Sequence, residues 1–395
     1  MNKKVLLTAI ITSFLGTTFC FTPSCSAKMT KKQQKEASYM KVAQSGIEEE
    51  QYDIAIEYYT KVIQLNPYNS EAYTKRGNAK NLFGLYKEAV EDYTKALEID
   101  PGRENAYYNR GIAKSNLKAY DEVIEDYTKE LELNPNNVNA YLNRGTTEVI
   151  LEKYQEAIED FTKAISLDKN NENAYYNRGL TKRNSKDYKG AIEDYTKVIE
   201  LNSNNIDAYN NRGVAKYYLK DYNGAIKDFS KVIDLNKNFK RAYYNRGLAY
   251  LGLKKYEDAI EDFTREITIN PKNDLAYFDR ALVENKLEYY QAAIDDYTKA
   301  IELRPDNADY YTGRGALISK TNGDLKKAEE DLTKAIKLDN KDTEKYLIRA
   351  IIYCKEQLYL AAVDDLNILL NIDHENAQAK ELRSFAIKSL TEEGK

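Results

Sequence analysis

The sequence predicts an all-α solenoid, and three observations lead there. An anchor tyrosine recurs at Tyr73, Tyr107, Tyr141, Tyr175, Tyr209, Tyr243, Tyr277 and Tyr311, 34 residues apart each time, and a ninth copy arrives one residue late at Tyr346. Within each copy, small and apolar residues return every three or four positions, which is the helical period. The two helical stretches of a copy are joined by a connection such as Lys118-Ala119, too short for anything but an antiparallel hairpin. A fixed period of this length means stacked helix pairs that bury their apolar faces on one another, not a single globular core.

Taken in order, residues 1–27 differ in kind from the rest of the chain. Lys3 and Lys4 form a short positive region, Val5 to Gly16 is an apolar stretch, and Cys25-Ser26-Ala27 offers the small residues that a signal peptidase reads. Cleavage after Ala27 makes the protein an exported one, found in the periplasm, on the cell surface or secreted. Loss of Lys3 and Lys4 then takes the formal charge from −4 to −6. An uncleaved anchor is the alternative, since the stretch can be extended through Phe21, and lipidation at Cys20 or Cys25 is another. Neither cysteine follows a good lipobox. Membrane association is expected only in those two cases.

Residues 28–35 read as a short polar linker, and ten repeats fill 36–376. The first is degenerate, starting near Tyr39 and ending in Leu65-Asn66-Pro67. The fullest copy runs from Ala106 to Asn137. Tyr107, Gly111, Ala113 or Lys114, and Leu117 mark its helix A; Tyr120, Val123, Ile124, Tyr127, Leu131 and Leu133 mark its helix B. Asn134-Pro135 stops that helix, because a residue before proline avoids the α region. The glycine of each Arg-Gly pair lies inside helix A, where it costs about 1 kcal/mol against alanine. Ala281 and Ala350 replace it in two copies, so the requirement is for a small residue where helix B approaches closely. Pro67, Pro101, Pro135, Pro271 and Pro305 close five repeats, while Lys169, Ser203 and Lys237 hold that place in the middle. Easier bending there and neutral change are the two readings. Residues 377–395 form a capping helix and tail, with Leu382, Ala386 and Leu390 covering the last repeat, a device such arrays need for solubility.

These residues resemble the tetratricopeptide repeat, in the form found in exported bacterial proteins. Gly111 and Val123, the aromatics Tyr107, Tyr120 and Tyr127, and Pro135 fall where that family's pattern puts them, and the match covers 36–376. The resemblance implies a right-handed superhelix of about ten helix-turn-helix units plus the C-terminal cap, with helix A lining the concave face. One departure is systematic. The family's usual leucine is arginine at Arg76, Arg110, Arg144, Arg178, Arg212, Arg246, Arg280, Arg314 and Arg349, and helix B of the same copies carries Asp92, Asp126, Asp160, Asp194, Asp228, Asp262, Asp296, Asp331 and Asp365. The first repeat lacks both, having Val42 and Tyr58. Joint presence and absence predict a structural ion pair inside each repeat, as Arg110–Asp126, Arg178–Asp194 and Arg246–Asp262. A bridge to the preceding unit fits less well, since Arg76 would have no acid to meet.

The inventory points away from chemistry. His374 is the only histidine and falls in a turn; Cys354 reads as a buried thiol. No Gly-rich phosphate loop and no His/Cys cluster with metal spacing occurs, so no catalytic residue, metal or cofactor is expected, and the protein is read as no enzyme. No basic run exceeds Lys31-Lys32, which leaves no electrostatic footprint for nucleic acid. Glu91–Lys95, Glu125–Lys129 and Glu193–Lys197 are read as i,i+4 pairs on a solvated face.

An asparagine precedes the arginine in five successive repeats, Asn109, Asn143, Asn177, Asn211 and Asn245, and stops at Lys75 before and at Asp279, Gly313 and Ile348 after. An amide both donates and accepts, so it can bracket a peptide unit whatever the side chain. Tyr108, Tyr176 and Tyr244 beside it supply apolar area at low entropy cost. The arrangement resembles the asparagine ladder of superhelical peptide binders in the family; asparagine as a habit of the family at this phase is the bland reading. The partner expected is a protein or peptide, bound as an extended segment along the concave face by a scaffold acting outside the cytoplasm. An assembly role in an envelope, secretion or pilus machine is the alternative, and the receptor module of a transferase-type enzyme is one from another class. Mass spectrometry of the mature N-terminus tests export: Lys28 as the first residue is expected, an acylated cysteine means a lipoprotein, and intact Met1 in the cytosol rules out both.

Overall fold

The computed structural model describes residues 29–321 and 323–392; the expected signal segment 1–27, with Cys20 and Cys25, lies outside them. Among the described residues the chain is all α, in 21 helices. Ten A/B pairs follow one another: α1 (Lys31–Glu48) and α2 (Tyr52–Leu65), α3 (Ser70–Phe83) and α4 (Tyr86–Ile99), α5 (Ala106–Asn116) and α6 (Tyr120–Leu133), α7 (Val138–Ile150) and α8 (Tyr154–Leu167), α9 (Glu172–Asn184) and α10 (Tyr188–Leu201). Then come α11 (Ile206–Tyr218) and α12 (Tyr222–Leu235), α13 (Ala242–Gly252) and α14 (Tyr256–Ile269), α15 (Asp274–Lys286) and α16 (Tyr290–Leu303), α17 (Ala308–Lys320) and α18 (Leu325–Leu338), α19 (Thr343–Lys355) and α20 (Tyr359–Ile372), and finally α21 (Ala377–Glu392). The chain forms two compact units, one ending at Ala140 and one beginning at Tyr141. In the first, α1 to α6 pack in chain order, and in the second α8 to α21 do the same. Successive A helices also touch: α3 with α5, α9 with α11, α11 with α13, α15 with α17, and α17 with α19.

Local chemistry explains the boundaries. Asn69, Asn171, Asn205 and Asn273 cap A helices, each side chain accepting the N–H of the alanine three residues on, which satisfies one orphan donor of the first turn. The linker expected at 28–35 is a correction: Thr30 and Gln33 form a reciprocal capping box, so helix begins at Lys31. The B-to-A turn keeps its hydrogen bonds with or without proline, Asn134 N–H to Glu130 O at 2.7 Å beside Pro135 and Asp168 N–H to Ala164 O at 2.9 Å beside Lys169. The extra residue that delays Tyr346 sits in the A-to-B turn between α17 and α18, so Arg314 and Asp331 are 17 apart in sequence where other pairs are 16 apart. In the cap, Ala379 and Ala386 are buried and Leu382 packs beside them against α19 and α20.

The small residue of helix A exists to admit a ring. A Cβ on Gly77 would lie 2.8 Å from the Tyr93 ring, on Gly213 2.8 Å from Phe229, and on Gly247 2.8 Å from Phe263. Tyr59, Tyr93, Tyr127, Phe161, Tyr195, Phe229, Phe263 and Tyr297 are the buried aromatic side chains of the B helices among the described residues. Ala350 shares its cluster with Leu366 in place of a ring, while Ala43 and Ala281 share theirs with Tyr59 and Tyr297.

In eight of the repeats one arginine ties three helices together. Its Nε and Nη2 donate to both oxygens of the aspartate on its own helix B, for example Arg212 to Asp228 at 2.9 and 2.7 Å. The same bidentate pair joins Arg110 to Asp126, Arg178 to Asp194 and Arg246 to Asp262, at 2.6 to 2.8 Å for the closer contact. Nη1 reaches backward to a hydroxyl on the preceding helix B: Arg76 to Thr60, Arg110 to Thr94, Arg178 to Thr162, Arg212 to Thr196, Arg246 to Ser230, Arg280 to Thr264, Arg314 to Thr298 and Arg349 to Thr333. At Thr60, Thr196 and Thr298 the hydroxyl's own proton goes to a carbonyl one turn back, at 2.7 Å. This link between repeats was missed in the sequence, although its signal is there. Thr60 is present in the first repeat, which lacks both charges, because Arg76 follows it; the last repeat has Asn367 in that place, and the arginine at the same phase of the cap, Arg383, has its Nε buried without a hydrogen-bond partner among the described residues.

The outward i,i+4 pairs are a further correction. Lys95, Lys129 and Lys197 turn to the glutamate three residues on, Glu98, Glu132 and Glu200, at 2.8, 2.7 and 3.0 Å. Both directions are open to an exposed helix lysine, and Lys95 and Lys129 lie on the side of the anchor tyrosines Tyr73 and Tyr107.

Cutting the inter-repeat bond leaves a guanidinium N–H without its partner, which costs about 1–3 kcal/mol when buried. Thr196→Val is therefore expected to destabilise while Thr196→Ser does not, Ser230 being the natural precedent. A double-mutant cycle with Arg212→Met should show a coupling of roughly 0.5–3 kcal/mol by denaturant unfolding, and additive losses would show that the bond contributes nothing.

Candidate functional site

The five asparagines occupy equivalent places on A helices but differ in what they touch. In the first unit, Asn109 Nδ2 donates to Asn78 Oδ1 at 3.0 Å, which also accepts from the Tyr93 hydroxyl at 2.8 Å, and the Tyr108 ring tilts against Tyr127 at 5.7 Å. In the second unit, Asn143 and Asn177 are half-buried, and Asn177 has no side-chain hydrogen bond among the described residues. Asn211 is buried and committed on both sides: Nδ2 donates to the Tyr176 hydroxyl at 3.0 Å, and Oδ1 accepts from Arg183 Nη1 at 2.7 Å. Asn245 makes only a long contact, 3.4 Å, to Asn210 Oδ1. The rungs are thus not equivalent, and Asn211 is already occupied by its own chain.

The tyrosines divide in the same way. Tyr176 serves Asn211, and burial raises its hydroxyl above the usual range. Tyr244 donates to Asp279 Oδ2 at 2.7 Å, and burial followed by the Asp279 charge raises it strongly. Burial also pushes the Asp279 carboxyl up, against the help of that hydrogen bond. Arg183, Asn210 and Asp279 were not singled out as partners in the sequence. A comparison of copies flags Arg183, since its counterparts are Ser115, Val149, Tyr217, Leu251 and Asn285. After Asn245 and Asp279, the next position of the series is glycine for a packing reason: a Cβ on Gly313 would stand 2.7 Å from the Tyr297 ring.

A second electrostatic pattern runs beside the arginines. Four residues after the arginine, Lys80, Lys114, Lys182 and Lys216 add a second cation to the buried aspartate, at 2.7 to 3.0 Å. Tyr250 takes that place after Arg246, and burial then outweighs the arginine and raises Asp262. Glu148 and Glu284 take it in two repeats, beside Asp160 and Asp296. Each leaves its Oε2 buried without a hydrogen-bond partner. Burial first and the neighbouring aspartate second push both carboxyls up to about 7.

Cys354 is half-buried where a buried thiol was expected, and burial raises it; His374 is exposed in its turn. No group of three His, Cys, Asp or Glu among the described residues could hold a metal ion, and no helix there is long and apolar enough to cross a membrane.

Family comparison agrees with this geometry along most of the chain. Models described as tetratricopeptide repeat match residues 36–69, 70–103, 104–137, 127–159, 172–205, 206–239, 241–273 and 308–342, and one described as TPR repeat matches 145–185 and 283–322. The chain belongs to the tetratricopeptide repeat family and is a protein-interaction scaffold of that kind. No curated protein matches it. Similar solved structures include YrrB, titled a TPR protein with an unusual peptide-binding site, at 26% identity over 51% of this chain and 100% of that one, TM-score 0.44. Others are a tetratricopeptide repeat protein from Parabacteroides merdae, at 20% identity over 63% and 99%, TM-score 0.46, and the Cut9–Hcn1 hetero-tetramer of the APC/C, at 12% over 91% and 96%, TM-score 0.45.

The two misplaced glutamates set a pH dependence. Their folded pKa lies above the ordinary value near 4.3, so the folded chain binds more protons between the two values. Their contribution is complete below about pH 4.3 and is lost as pH rises through about 7. Glu148→Gln/Glu284→Gln is expected to raise the melting temperature at about pH 8 and to leave it nearly unchanged at about pH 4, flattening the pH profile. An equal shift at both would show that charge is not the cause.

Proposed function

We propose that the protein is a non-enzymatic scaffold acting outside the cytoplasm, and that the second unit holds an extended peptide segment of its partner along consecutive A helices. One observation carries this reading: Asn177 presents an amide without a partner among the described residues, flanked on its own helix by half-buried Tyr176 and Leu180, with half-buried Val214 and Leu248 at the places equivalent to Leu180 on the next two A helices. The amide can donate to and accept from a peptide backbone, and the apolar neighbours supply area to bury. Neighbouring helices stand roughly 8–10 Å apart and an extended chain rises about 3.3 Å per residue, so each helix passed accommodates roughly three peptide residues. Residues 1–27, with the paired lysines, apolar stretch and small residues of an export signal, support action outside the cytoplasm.

Selection of displayed random peptides on the full chain tests the reading. Enriched peptides are expected to bind wild type and to lose roughly tenfold in affinity with Asn177→Ala, the loss of one or two hydrogen bonds. Alanine is a good helix former, so circular dichroism should not change. Failure to enrich peptides, or equal binding by the variant, overturns the proposal.

A further inference from the structure

Asp279 stands where five earlier repeats carry asparagine, and it is the one ladder position of the second unit with a formal charge. It is half-buried on α15, and its side chain's only hydrogen bond among the described residues is the one from Tyr244 to Oδ2. No cation among the described residues neutralises it: the groups its charge reaches are the hydroxyls of Tyr217 on α11, Tyr244 on α13 and Tyr297 on α16. The buried aspartates of the B helices all have an arginine, so the contrast lies within one molecule. Desolvating a carboxylate without a counter-ion is costly. Phe278, next to it, packs on Tyr297 and Tyr310, with ring centroids 5.8 and 4.9 Å away, so the floor of the position is aromatic.

We propose that Asp279, framed by Tyr217 and Tyr244, receives a cationic side chain, arginine or lysine, of the bound peptide. The proposal rests on the peptide-binding reading above and adds a specificity to it. A guanidinium or ammonium there satisfies the free carboxylate oxygen by a charge-assisted hydrogen bond, and aromatic faces attract the same charge. Tyr244, with its hydroxyl held by Oδ2, orients the carboxylate so that Oδ1 remains for the ligand.

Asp279→Asn is the natural variant, since asparagine occupies the same place in five repeats of this fold. Two probes are used on the full chain. The first is a series of short peptides identical except for a central arginine, lysine, citrulline or glutamate; the second is argininamide alone, read by thermal shift. Arginine and lysine peptides are expected to bind about tenfold more tightly than the citrulline and glutamate members, and Asp279→Asn should erase the difference. Equal binding by all members overturns the cation site and leaves the peptide reading intact. If no peptide binds but argininamide stabilises wild type and not Asp279→Asn, the cation site stands and the extended-peptide reading falls. No response to either probe overturns both.

Discussion

In eight repeats the link to the one before is a guanidinium that touches three helices. The aspartate it meets is nearly fully buried, while the arginine keeps part of its side chain in solvent, 15% for Arg212 against 4% for Asp228. Desolvation offsets much of the attraction in such a pair, so its main effect is on geometry. Two parallel bonds set the rotation of helix B on helix A, and the third bond, to a threonine or serine, sets the preceding helix B against both. A lysine could not do this, because three diverging donors in one plane belong to arginine alone. The first repeat, which has the hydroxyl of Thr60 but neither charge, shows the direction of the wiring: hydroxyl from behind, aspartate from within.

With that rotation set, the space between the two helices is small, and a ring must fit in it. Glycine in helix A gives up helix propensity, and the buried aromatic it admits returns apolar burial of about 1.5–3 kcal/mol. The exceptions obey the same geometry. Leucine opposite Ala350 is shorter than a ring, and at Ala281 the opposing Tyr297 presses on Gly313 of the following A helix. Glycine rather than asparagine at position 313 is therefore a consequence of core packing.

The A-helix face of the second unit is partly spoken for by its own chain. Tyr176, Arg183 and Asn211 close on one another, whereas among the described residues Asn177 keeps a free amide and Asp279 a free carboxylate oxygen. A family-wide pattern of asparagine thus carries different meanings at different repeats. What separates them is one residue elsewhere, Arg183 at Asn211 and Tyr244 at Asp279.

The helix pairs, their turns and the phase of the cap were legible in the sequence, because a 34-residue period and a 3.6-residue period are properties of the chain itself. The arginine and aspartate could be related because both are missing from the same repeat. The turn of Lys95 toward Glu98, the start of helix at Lys31, the threonine behind each arginine and the closure of Asn211 were not read there. Each depends on which of several acceptors a long or branched side chain can reach. For the bonds between repeats, that choice is made between groups some 16 to 35 residues apart in sequence, brought together only when successive helices pack. Periodicity says which residues share a face; distance alone decides which of them bond.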